Sequence, residues 1–149
     1  MGTMRIFQAV QVATWSAIGA LAAVALFGQQ PATPDDPKVA RGKYLVEEVA
    51  KCQDCHTPKM DNGDLIKSQW MKGASMGVVP VSPSVNWRNK SPDATSTSTL
   101  WKRWTEEGMV KFFETGRNPR GTKAGAPMPT YMMKREDAEA VVAYLKTLP

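Results

Sequence analysis

The chain has one histidine and two cysteines among 149 residues, and this scarcity excludes much metal chemistry at once. A closed zinc site needs four ligands, and three soft donors fall one short. There is also no phosphate-cradling glycine loop, no aromatic-rich basic stripe and no internal repeat, so nucleotide and nucleic-acid roles are set aside. Alternating strand pairs with hairpin turns are missing, as is any βαβ pattern, which leaves an all-α fold. The last deficit is local. Residues 6–27, "IFQAVQVATWSAIGALAAVALF", contain no charged side chain.

Twenty-two residues at 1.5 Å each are long enough to cross a hydrocarbon core of about 30 Å. A cleaved secretory signal calls for a basic n-region and a shorter apolar run. Here Arg5 is the only basic residue ahead of the run, and a small-residue site such as "AVA" at 23–25 is available for cleavage. The length favours a retained anchor, with residues 1–5 cytoplasmic, 6–27 transmembrane and 28–38 a linker. Either way the remainder, residues 39–149, lies outside the cytoplasm. Beyond Arg5 there are eighteen Lys and Arg against fourteen Asp and Glu, a mildly basic balance.

Three helices are legible in that domain. "DPKVARGKYLVEEVAKCQDCH" reads as one helix, with Val39, Tyr44, Leu45, Val46 and Val49 on an apolar face. Gly42 inside it costs helix propensity, which predicts the close approach of another element. "WTEEGMVKFFETG" gives a second, with Thr105 as N-cap and Gly116 as stop. The third is "KREDAEAVVAYLKTLP", with Ala138, Val141, Val142, Leu145 and Leu148 in a stripe. Residues 57–103 have little periodicity and much Pro, Ser, Thr and Asn. A structureless stretch of that length in a compact domain implies something for it to wrap.

All three soft donors sit in "KCQDCHTPKM", as Cys52, Cys55 and His56. A redox dithiol calls for this spacing at a helix start in an α/β pattern, which is not present. A plain disulfide leaves the adjacent histidine without a role. C-x-x-C-H is the attachment pattern of c-type haem, in which both thiols bond the porphyrin and the next imidazole meets the iron. One covalently bound haem c, on Cys52 and Cys55 with His56 as an axial ligand, is therefore expected. With a single histidine a second imidazole is excluded, and methionine is the first candidate for the opposite side. Met128, between two prolines in "APMPTY", lies in a loop stiffened by their fixed φ. Met71, Met76, Met132 and Met133 remain alternatives. Met60 is close to His56 in sequence, and Met109 falls within a helix, where core filling is its simpler role.

These segments resemble the monohaem class I cytochromes c, especially the membrane-anchored bacterial domains of respiratory or dehydrogenase complexes. "GKYLVEEVAKCQDCHTP" is similar to the family's first part and "GAPMPTYMMKREDAEAVVAYLKTLP" to its end. "WTEEGMVKFFETGRNPRG" looks like its middle. In "VSPSVNWRNKSPDATSTSTLW" only "SPD" is kept of an Asn-Ile-Thr-Pro-Asp run. The resemblance implies three to five helices around one haem, with Met128 as the axial methionine.

The expected function is one-electron transfer in a respiratory or photosynthetic chain, without catalysis, nucleic acid or small-molecule substrate. Its expected place is the periplasmic face of a bacterial inner membrane, as a single-pass protein. The expected partners are redox proteins or an integral membrane electron-transfer complex. A gas sensor or haem enzyme with an open sixth site is the alternative. Tyr44, Trp70, Trp87, Trp101, Trp104, Phe112 and Tyr131 are candidate haem wall. Lys51, Lys59, Lys67 and Lys72 are candidate rim, and Arg117 and Arg120 candidate partners of the haem propionates.

Overall fold

A computed structural model describes residues 35–82 and 86–149. The expected anchor over 6–27 lies outside them. Among the described residues no helix is long and apolar enough to cross a membrane. Their regular structure is helical: α1 (Pro37–Tyr44), α2 (Gln53–His56), α3 (Thr99–Thr115) and α4 (Arg135–Thr147). β-Structure among the described residues is confined to isolated bridges.

Asp36 starts α1 by accepting the Lys38 N–H, and Pro37 fills the first helical position, where no N–H is needed. Gly42 then decides how α1 meets α4. A Cβ there would lie 1.9 Å from the Ala140 carbonyl oxygen and 2.8 Å from Tyr144 Cβ, so only hydrogen fits. The close approach expected from the sequence is thus a backbone-to-backbone crossing. Around it the exposed pairs Lys38–Glu139 and Arg41–Asp137 join the two helices at their edges, both at 2.9 Å. Pairs this exposed register the helices more than they hold them.

The single apolar face expected along residues 39–49 is not formed. Val39, Leu45 and Val46 are buried, but Tyr44 is 53% and Val49 58% exposed. From Leu45 to Val49 the helix widens to a π turn, with Ala50 N–H reaching back to the Leu45 carbonyl. A wider turn breaks the 3.6-residue period and swings Val49 to solvent. Lys51 then takes a left-handed φ of 50°, ending the helix, and α2 restarts at Gln53. The tight arrangement is held from below. Tyr144 on α4 donates a short hydrogen bond to the Glu47 carboxylate, and Gln53 Nε2 donates to the Glu47 carbonyl at 2.8 Å.

α3 begins six residues earlier than the sequence suggests, at Thr99, yet Thr105 keeps its expected role. Its φ of 61° and ψ of 168° break the helix, and its Oγ1 accepts the Gly108 N–H at 3.3 Å. Gly116 stops α3 with φ 66°, again as expected. The core lies among the three longer helices: Val39 and Val46, then Met109, Val110, Phe112 and Phe113, then Ala138, Val141, Val142 and Leu145. Among the described residues between 57 and 98 the regular structure is one short 3-10 turn at Lys67–Gln69 besides isolated bridges, and this stretch wraps the C-x-x-C-H segment.

Candidate functional site

The wrapping is specific. Gly73 N–H donates to the His56 carbonyl at 2.8 Å, and Met71 N–H donates to Thr57 Oγ1 at 3.0 Å. From the other end of the loop, the Ser91 hydroxyl donates to the Cys55 carbonyl at 2.7 Å and accepts the Ala74 N–H at 2.8 Å. The next residue holds the imidazole: His56 Nδ1 lies 2.8 Å from the Pro92 carbonyl oxygen. A carbonyl can only accept, so Nδ1 carries the proton and Nε2 is left with its lone pair free. Burial of the ring lowers the His56 pKa, while Pro92 and Asp93 oppose it weakly. A neutral imidazole fixed through its far nitrogen is the form that ligates a metal.

Cys52 and Cys55 are free thiols, so the disulfide reading is not realised. Among the described residues no three His, Cys, Asp or Glu side chains gather as a metal cluster, which removes the zinc reading as well. The Cys52 thiol is pushed up to about 11 by burial, and it shares a hydrogen bond with Tyr131, whose hydroxyl is raised to about 12, chiefly by burial.

Cys52, Cys55 and His56 all line one cavity of about 860 Å³, within the usual range for a cofactor-sized site. Its apolar wall comes from α3 and α4: Leu100, Met109, Phe112, Phe113, Val141 and Leu145. Met128 lines the same cavity, together with Met71, Met76 and Met109. Met132, a runner-up, is 78% exposed, and Met60 53%. Neither these two nor Met133 reaches the cavity wall.

Met71 and Met128 line the cavity from different segments of the chain. Met71 is tied through Thr57 to the segment of His56 itself. Met128 belongs to the loop between α3 and α4, which is held by Arg88 N–H to the Ala126 carbonyl (2.6 Å) and by Met133 N–H to the Phe113 carbonyl (2.9 Å).

Of the aromatic residues proposed as wall, Trp104 and Phe112 line the cavity, and Tyr131 touches the site through Cys52. Trp70, Trp87, Trp101 and the exposed Tyr44 do not. Among the lysines proposed for the rim only Lys72 is there, and Arg120 but not Arg117, which donates to the Gly121 carbonyl. Sequence reasoning missed Ser91, Pro92, Phe113 and Arg88. The one available signal was "SPD", whose serine and proline grip the cysteine–histidine segment.

A buried neutral imidazole, two unpaired thiols three residues apart and a methionine loop around one apolar cavity suit a covalently bound haem. The family model described as cytochrome c matches residues 39–149. The chain belongs to the cytochrome c family. Membership implies covalently bound haem c and electron transfer. Among curated relatives, the chain is 33% identical to the cytochrome c subunit of an alcohol dehydrogenase (quinone) from Gluconobacter oxydans, over 76% of this chain and 24% of that protein. It is 30% identical to a diheme cytochrome c-type protein of Cereibacter sphaeroides, over 76% of this chain and 36% of the relative. It is also 30% identical to the gluconate 2-dehydrogenase cytochrome c subunit of Pantoea cypripedii, over 80% and 28%. The chain therefore corresponds to about a quarter to a third of these relatives' length.

Proposed function

We propose that residues 39–149 carry one haem c on Cys52 and Cys55, with His56 and Met128 as axial ligands, and pass single electrons within a dehydrogenase-type complex. The observation that carries this is His56, whose Nδ1 is committed to the Pro92 carbonyl at the wall of an apolar cavity that also holds both thiols. Bound haem supplies an iron that accepts and returns one electron. The chain's part is to hold it rigidly and keep water out. Ser91, Gly73 and Thr57 fix the backbone around the histidine, and α3 and α4 supply the apolar wall.

Met128 would serve as the second protein ligand of a bound haem, because it lines the cavity on a segment held apart from that of His56. His56 and Met71 share one set of hydrogen bonds, whereas Met128 rides on the loop before α4. The names of the relatives support a dehydrogenase as redox partner. The uncharged run 6–27 supports a tether to the bacterial inner membrane with the domain on the periplasmic face.

Acid–acetone extraction tests the attachment. The colour should stay with the protein, and its mass should exceed that of the chain by one haem. Release of all haem into the solvent, or a mass increment of none, refutes the roles given to Cys52 and Cys55. N-terminal sequencing of native material tests the tether: a mature start near residues 26–32 makes the domain soluble, while retention of residues 6–27 keeps it anchored. Carbon monoxide should bind the reduced protein poorly, and ready binding by the wild type favours the sensor or enzyme alternative.

A further inference from the structure

The segment between Asp64 and Asp93 contains no acidic residue but has Lys67, Lys72, Arg88 and Lys90. Lys72, Arg88 and Lys90 are exposed, line the cavity and join no ion pair among the described residues. Much of the acid of the fold is occupied elsewhere, as in the pairs of Glu107, Glu114 and Glu139 with Arg135. The cationic stretch is held together by the Ser75–Lys90 bridge, by Met76 N–H to the Asn89 carbonyl (2.8 Å) and by Ser91 N–H to the Ala74 carbonyl (2.9 Å).

From this pinned base the chain runs outward through "GVVPVS", residues 77–82. Val78 is 54% exposed, Val79 82% and Val81 106%. Isolated exposed apolar side chains are ordinary on any protein, but three within four residues mark a candidate contact. Its chemistry is aliphatic throughout. Protein interfaces draw their binding energy from Trp, Tyr and Arg, with valine under-represented at their hot spots. Aliphatic side chains in the same strap as exposed cations suit a different surface, in which acyl chains lie beneath anionic headgroups.

We propose that Val78, Val79 and Val81 insert into the headgroup region of a bilayer containing anionic lipid, with Lys72, Arg88 and Lys90 meeting the headgroups. This contact is separate from any tether through residues 6–27. It sets the cavity rim, which those three cations form in part, beside the membrane surface.

The test reads position 81 itself. The V81C variant of the full haem-bearing chain is labelled with a maleimide nitroxide, which depends on Cys52 and Cys55 being held as thioethers. Uptake of label by the wild type is the separate sign that the attachment has failed. On phosphatidylcholine vesicles containing phosphatidylglycerol, collisions of the label with a water-soluble nickel chelate should fall about tenfold, and collisions with oxygen should rise. On phosphatidylcholine alone, or in high salt, the label should stay in water. A label at E136C, on the acidic first turn of α4, should stay in water throughout. Adding V79D to V81C should return the label to water. The proposal is overturned if the label at position 81 stays equally open to the chelate on anionic vesicles, or if neutral vesicles shield it as well. It is also overturned if an acidic [2Fe–2S] ferredoxin, and not the vesicles, shields it.

Discussion

Met128→Ala should abolish the ferric charge-transfer band at the red end of the visible spectrum, which reports the iron–sulfur bond. The substitution removes the thioether from a loop position between Pro127 and Pro129. With Met128 as the proposed ligand, water or a nitrogen ligand would replace a thioether, which favours ferrous iron. The midpoint potential should fall by on the order of 0.2 V, within the ~0.8 V over which axial ligands tune haem. Reduced protein should also bind carbon monoxide readily. Met132→Ala is the matched control, since that side chain is 78% exposed and should leave band and potential unchanged. Survival of the band in Met128→Ala with its loss in Met71→Ala or Met76→Ala would move the ligand to the residue 71–76 strap while leaving the haem in place.

Gly42→Ala should cost about 3–5 kcal/mol, the upper end for a single substitution, because its new methyl meets backbone and not a side chain that can turn away. The nearest atoms are the Ala140 carbonyl oxygen at 1.9 Å and carbon at 2.5 Å, so α1 must lift from α4. A total stability of roughly 5–15 kcal/mol leaves little after such a loss. The urea midpoint should drop sharply at unchanged slope. Because α1 leads through the π turn to Cys52, the yield of haem-loaded protein should drop as well. Gly63→Ala is the control for adding a side chain at a glycine with open space around it, although its φ of 89° adds local strain. A Gly42→Ala protein with the wild-type midpoint refutes the backbone contact between α1 and α4.

The parts of this protein that the sequence by itself determined are those whose cause is local. C-x-x-C-H places two thiols and an imidazole within five residues, and no folding partner is needed to read it. Thr105 and Gly116 mark a helix by their own capping chemistry. Ala138, Val141, Val142 and Leu145 show the period of α4, and Gly42 betrays a close contact by being a poor helix residue in a helix. The prolines on either side of Met128 mark its segment as a loop.

Tertiary structure decided what depends on residues far apart in the chain. The π turn at Leu45–Val49 arises where the segment is gripped by Tyr144 and Gln53, so the periodic reading that placed Val49 inside failed there. The support of His56 comes from Pro92, thirty-six residues on, through a main-chain carbonyl that every residue type possesses. Ser91 acts on the main chain of Cys55 in the same way. A backbone acceptor leaves no mark on the identity of the residue that carries it, so only the folded chain reveals which carbonyl orients the imidazole.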